Sequence, residues 1–291
     1  MKTTHDSQVL VSKSEINYDY TTIGMTKSRI EKGLIAMPVA LAKWFPPRTT
    51  DIQVYLDDSS VSHTKGYSSY QSSTRECRIG GMSEWFEKNG IKSGDEIVIQ
   101  LLDKKNYIYR ILPQGKFIAK TRDLQSSFDA SPNEQEAEEK LTNLVRWTAT
   151  HKRKVVFSEF KRLIDTMSIS DRNYSQKRVS SEREITPASI RILLEAIYQG
   201  HCQVCDFWFL KKDNSLFFEV HHLNPLKGHH PKNLVAVCGN CHNQFEYANV
   251  HHEFNDEEWL IRVSFNRKTY SVTQALLEAQ LKDSVKELFV L

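Results

Sequence analysis

The sequence predicts a multidomain α+β protein: a β-rich domain, a helical linker, and a small strand–strand–helix module rich in cysteine and histidine. Three observations predict it. Short alternating runs such as Asp51-Ile52-Gln53-Val54-Tyr55-Leu56 recur through residues 23–120 and read as half-buried strands. Between residues 136 and 200 the apolar residues fall at helical spacing. Two Cys-x-x-Cys pairs, Cys202/Cys205 and Cys238/Cys241, then bracket the dipeptide His221-His222.

Taken in order, residues 1–22 form a polar arm with one candidate strand near Gln8–Val11. Pro38 sits at a first helical turn, Val39, Leu41, Ala42 and Phe45 follow at helical spacing, and Pro46-Pro47 ends the helix. The Ser-rich stretch 59–74 reads as a long loop. A short helix from Met82 to Asn89 is closed by Gly90, and EIVIQLL and YIYRIL read as paired strands. Residues 121–140 carry Asp, Ser, Asn, Glu and Pro132 and read as a linker. Helices are predicted over Glu136–Thr150 and Val155–Met167. A third starts at Thr186-Pro187, with Thr as N-cap and Pro at the first turn, and stops at Gly200. A closing helix is predicted over Ser271–Leu288. The domains expected are therefore 1–120, 121–185 and 186–291.

Composition narrows the class. The chain has 291 residues and is 40% apolar, enough for real cores. No apolar run reaches the ~18 residues of a membrane span, and the first residues lack a basic-then-apolar leader, so a cytoplasmic chain is expected. Five cysteines, four of them in x-x pairs, fit a metal in a reducing compartment better than disulfides; Cys77 reads as a half-buried thiol. Net charge is only +3, but residues 140–191 hold twelve Lys/Arg against five Asp/Glu. That basic stretch is either a phosphate-backbone contact or a solvated helix face.

Four thiolates from two tight knuckles complete a tetrahedron and form a closed, structural zinc site. The 32 residues between the knuckles exceed the usual ribbon spacing. The insert supplies FFEVHHLNPL and KNLVAVC, two strand-like runs, and Cys241 to Tyr247 can form a helix.

Two resemblances follow from these residues. Glu219-Val220-His221-His222-Leu223-x-Pro225-Leu226, then Asn233-Leu234-Val235-x-x-Cys238-x-x-Cys241-His242, resembles the HNH nucleases of the zinc-bearing type across roughly residues 186–250. The resemblance implies that His222 is the general base, that His221 and His242 ligate a catalytic ion, and that Asn233 braces the loop holding the base. Glu246 departs from the pattern. It lies one helical turn after His242, either as a ligand whose hard oxygen favours Mg²⁺ or Mn²⁺ or facing solvent. Glu219 shares a strand face with His221, and His229, His230, His251 and His252 are expected at the surface.

The second resemblance rests on Trp85-Phe86-x-x-Asn89-Gly90-Ile91-Lys92-x-Gly94-Asp95-x-Ile97. This segment is similar to the DNA-binding pseudobarrel of the amino-terminal domain of the EcoRII restriction enzyme and of plant B-three transcription factors. It implies two arms that clamp double-stranded DNA, one with Lys27 and Arg29, the other with Lys65, Tyr67, Tyr70, Gln71 and Arg75. The combination implies a sequence-specific restriction endonuclease acting as a homodimer, with a modification-dependent nuclease or a non-catalytic zinc-containing DNA-binding regulator as alternatives.

Overall fold

The computed structural model describes residues 11–12, 16–70, 76–168 and 186–277. It divides into two compact units, Met1–Gln125 with Asn143–Thr150, and Ser126–Thr142 with His151–Leu291.

The first unit is built on eight strands: β1 (Val11–Ser12), β2 (Asp19–Gly24), β3 (Ile35–Pro38), β4 (Thr50–Leu56), β5 (Ser62–Ser68), β6 (Glu76–Ile79), β7 (Glu96–Asp103) and β8 (Ile108–Pro113). They form one sheet in the order β1-β2-β7-β8-β4-β5-β6-β3 that curls into a nearly closed barrel. All pairings are antiparallel except β4 with β8. Two short helices, α1 (Lys27–Glu31) and α2 (Ser83–Lys88), accompany it. Helix α2 ends as its sequence demands: Gly90 has φ +61, and Ile91 N–H reaches back to the Phe86 carbonyl at 2.9 Å. Inside, Phe45 stacks between Tyr67 and Tyr109 at 5.5 and 4.6 Å. Cys77 is fully buried in this core, more than its sequence context suggested.

Three sequence expectations change here. The Pro38-initiated helix is a 3₁₀ helix over Val39–Trp44. Val39 is exposed in it, while Leu41 and the C-cap residue Phe45 are buried. The Ser-rich loop is strand over Ser62–Ser68, paired with β4 along Ser62 to Tyr67. Ladder hydrogen bonds, not an apolar face, hold that strand, so alternation could not reveal it. Residues 121–140 are mostly helical, belonging to α3 (Gln114–Asp129) and α4 (Glu134–Thr148). Asn133 caps α4 reciprocally, accepting from Glu136 N–H and donating to the Glu136 carboxylate, both at 2.9 Å. The polar composition that suggested a linker is the solvent face of two helices. Residues 169–185 of the basic stretch, and Gln8–Leu10, lie outside the described residues, as does most of the expected closing helix.

The second unit contains α5 (Lys152–Thr166), α6 (Ala188–Tyr198), the β9 (Glu219–His222) and β10 (Leu234–Val237) hairpin, α7 (Gly239–Tyr247), and a three-stranded sheet of β11 (Val250–Phe254), β12 (Leu260–Phe265) and β13 (Lys268–Ser271). Helix α6 starts one residue later than predicted, with Pro187 as N-cap, and ends through Gln199 in the left-handed region. No helix among the described residues is long and apolar enough to cross a membrane.

Glu159 on α5 is fully buried. Arg162 satisfies it at 2.8 Å through Nε and grips Asp129 with both terminal nitrogens at 2.7 and 2.9 Å. Burial alone would lower the Arg162 pKa, but the two carboxylates outweigh it and the net shift is upward. Replacing Arg162 by Ala removes this ion pair from the buried Glu159 carboxylate. The expected loss is about 3–5 kcal/mol, read as a fall in the urea midpoint of unfolding. A midpoint equal to wild type would show that the pair carries no such load.

Candidate metal centre and its neighbouring histidines

Strands β9 and β10 pair antiparallel with His221 opposite Val235 and His222 opposite Leu234. Neighbours on a strand point to opposite faces, so this register sends the two histidines to opposite sides of the hairpin. Cys238 follows β10 directly and caps α7: its Sγ accepts from the Cys241 N–H. The helix then brings His242, Phe245 and Glu246 to one face, at spacings of three and four residues.

On that face His221 lies flat on Phe245, with ring centroids 4.2 Å apart and planes at 16°, and Phe245 in turn stacks on His252. His242 stands edge-on to His221 at 5.4 Å. Glu246 Oε1 lies 3.8 Å from His221 Nδ1 and 4.0 Å from His242 Nε2. One donor atom from each of the three falls within 4.8 Å of the others. Donors of one ion at about 2.1 Å each can lie up to about 4.2 Å apart, and both Glu246 distances fall within that limit. Glu219 contacts His242 Nδ1, which turns the Nε2 lone pair toward the cluster. Burial, followed by His242 and the other nearby histidines, pushes the His221 pKa down to about 3. Its imidazole is thus held in the neutral form a ligand needs.

The opposite face holds His222. Its Nε2 lies 3.0 Å from Nδ1 of His229. Asn233 is buried and closes the intervening loop with three bonds. It accepts from Asn224 N–H at 2.8 Å, and donates to the carbonyls of Asn224 and Gly228 at 2.9 and 2.8 Å.

The four cysteines form a second cluster, with donor atoms within 4.8 Å of one another. Tetrahedral sulfurs about 2.3 Å from zinc would stand about 3.8 Å apart; Cys205 and Cys238 sulfurs are 3.7 Å apart. Cys202, Cys238 and Cys241 are buried among Val235, Val237 and Phe245. A hydrogen bond from Cys241 is the main cause that lowers the Cys202 thiol pKa to about 5. Gln203, inside the first knuckle, fixes it in place. Its side chain accepts from Ala236 N–H and donates to the Thr273 carbonyl, both at 2.7 Å.

Several residues missed by the sequence reading matter here. His230 is buried, not at the surface: Nε2 meets the Ile164 carbonyl at 3.1 Å and Nδ1 accepts from Lys232 N–H at 3.2 Å. His229 and His252 are half-buried, and only His251 is exposed as expected. No periodicity marks Gln203 or His229; the one local signal is Gly228, directly before His229.

The barrel residues expected to meet DNA separate. Lys27 and Tyr70 are exposed. Arg29 is drawn inward, donating to the Gly24 carbonyl at 2.8 Å with Glu76 at 3.7 Å. Lys65 lies on β5 and donates to the Gly81 carbonyl at 2.6 Å. Tyr67 is 1% exposed and belongs to the aromatic core, so it cannot read a base edge. Gln71 and Arg75 lie outside the described residues.

The four-sulfur cluster could hold a metal ion. Chelation at neutral pH is expected to release one tightly bound ion per chain and to lower the melting temperature, whereas Cys77→Ser leaves the metal content unchanged. Retention of wild-type stability after complete metal removal, measured by metal analysis and calorimetry on one sample, would refute the structural role.

Among curated proteins none matches the chain. Among solved structures, an Arabidopsis FUS3-DNA complex is similar at 16% identity, over 32% of this chain and 94% of that one, with a TM-score of 0.28. Residues 202–247, the segment that carries both donor clusters, match the HNH endonuclease family.

Proposed function

We propose that this chain is a metal-dependent endonuclease of restriction type, in which the barrel recognises a short DNA sequence and the ββα module hydrolyses the phosphodiester bond. The observation that carries the catalytic half is the juxtaposition, within residues 202–247, of the His221–His242–Glu246 donor set with His222 on the same strand. The recognition half rests on the sequence resemblance of the barrel and on the exposed Lys27 and Tyr70.

In this reading His222 takes the proton from the attacking water, a positioned transfer worth about 10²–10⁴-fold. Glu219 holds His242, and Phe245 holds the His221 ring, so that their donors converge. A divalent ion bound there would supply positive charge to the scissile phosphate and the leaving 3′ oxygen. The carboxylate of Glu246 favours Mg²⁺ or Mn²⁺ over softer ions. Asn233 braces the loop behind His222, and zinc is the ion suited to the four cysteines. One such site cuts one strand, so double-strand cleavage calls for a homodimer or successive nicks.

Replacing His222 by Ala is expected to lower plasmid nicking by at least about 10²-fold while leaving gel-shift affinity for DNA intact; undiminished nicking would remove His222 from its role. Glu246→His is expected to shift the metal preference from Mg²⁺ or Mn²⁺ toward softer ions such as Zn²⁺ or Ni²⁺. An unchanged preference across a metal series would show that Glu246 does not ligate. Digestion of methylated and unmethylated copies of one plasmid separates a restriction enzyme from a modification-dependent one, and absence of nicking with every metal would leave a DNA-binding regulator.

A further inference from the structure

We infer that His229 is a positioning residue for His222: it fixes the tautomer and ring orientation of the base. The inference rests on the reading of His222 as the base.

Three observations carry it. The first is the contact itself, Nε2 of His222 to Nδ1 of His229 at 3.0 Å. A hydrogen bond between two neutral imidazoles needs one donor and one acceptor. If His222 donates through Nε2–H, the proton-accepting lone pair of its ring stands on Nδ1. His229 then carries its own hydrogen on Nε2 and accepts at Nδ1. A partner that holds an imidazole in one tautomer is a recurring requirement for base catalysis.

The second observation is that His229 is itself held. Asn233 Nδ2 grips the carbonyl of Gly228, the residue directly before His229, at 2.8 Å. His230, directly after it, is buried and tied to the Ile164 carbonyl and to Lys232 N–H. The loop therefore cannot swing His229 away without breaking these hydrogen bonds.

The third is the backbone at Gly228, with φ 69 and ψ −158. That region is essentially open only to glycine. Glycine here lets the chain reverse so that His229 faces back to the strand it left seven residues earlier. Asn233 thus acts on the base through a relay: Asn233 sets Gly228, Gly228 sets His229, and His229 sets His222.

The chemical step balances as follows. Water gives one proton to His222 Nδ1, and its oxygen forms the new bond to phosphorus. The bond from phosphorus to the 3′ oxygen breaks with its electron pair on that oxygen, which takes a proton from solvent. The imidazolium, still donating Nε2–H to His229, then returns the Nδ1 proton to solvent.

The test uses the full chain under single-turnover plasmid cleavage, with DNA affinity measured by gel shift. His229→Ala is expected to slow the cleavage step about 10–100-fold, with DNA affinity and melting temperature unchanged. His229→Asn, whose carboxamide oxygen can accept the same hydrogen, is expected to recover most of the rate. Gly228→Ala, which displaces the loop without removing the imidazole, is expected to fall with His229→Ala. Nitrogen-15 spectra of labelled histidine are expected to show His222 as the Nε2–H tautomer in wild type and as a mixture in His229→Ala. If His222→Ala is inactive and His229→Ala cuts at the wild-type rate, the positioning role alone is overturned. It is also overturned if His229→Ala and His229→Asn lose rate and melting temperature equally. If His222→Ala cuts like wild type, the base reading fails and the relay fails with it.

Discussion

The register of one four-residue hairpin governs the second unit. His221 faces Val235 and His222 faces Leu234, and strand geometry then assigns the two histidines to opposite faces. A slip of one residue would exchange them, placing His222 on the stacking surface of Phe245 and His221 against the 223–233 loop. The same strand β10 delivers Cys238 to the start of α7, so the pairing also aims His242 and Glu246. The register is defended by burial of all four β10 residues and by Gln203, whose side chain and backbone both bond to Ala236.

The two donor clusters use this frame differently. Three of the four cysteines, Cys202, Cys238 and Cys241, are buried among apolar side chains and Cys205 is exposed, so a metal there would be seated against the core. The His221–His242–Glu246 set is half-buried, with Glu246 exposed, and its imidazoles are supported from behind by Phe245 and Glu219. Both clusters share α7, which begins at a cysteine and carries two of the three open-site donors. Stability from the first is therefore converted into geometry at the second.

The barrel shows how far residue type misleads without a surface. Tyr67 and Lys65 have the chemistry of DNA contacts, yet one fills the core between β-strands and the other ties β5 to the turn at Gly81. Ladder pairing put both on a strand, and a strand alternates its faces whatever its side chains could do. The Ser-rich composition hid this, because β5 buries little and therefore has no apolar period to read. Helix α3 was hidden for the converse reason: its buried positions, such as Phe117 and Phe128, are few and spread among polar residues.

The sequence by itself determined which donor residues the module brings together. Cysteine pairs at x-x spacing, adjacent histidines on a strand, and a histidine one residue past a cysteine each follow local geometry, and local geometry is legible in spacing. The α+β class and the β-rich character of the first half were legible for the same reason. Tertiary structure alone decided which nitrogen faces which partner. His229 meets His222 across a seven-residue loop, Glu219 reaches His242 across the hairpin, and Gln203 clips two segments 33 and 70 residues away. Such contacts depend on chain reversal at Gly228 and on strand register, and neither has a period that a linear pattern can carry.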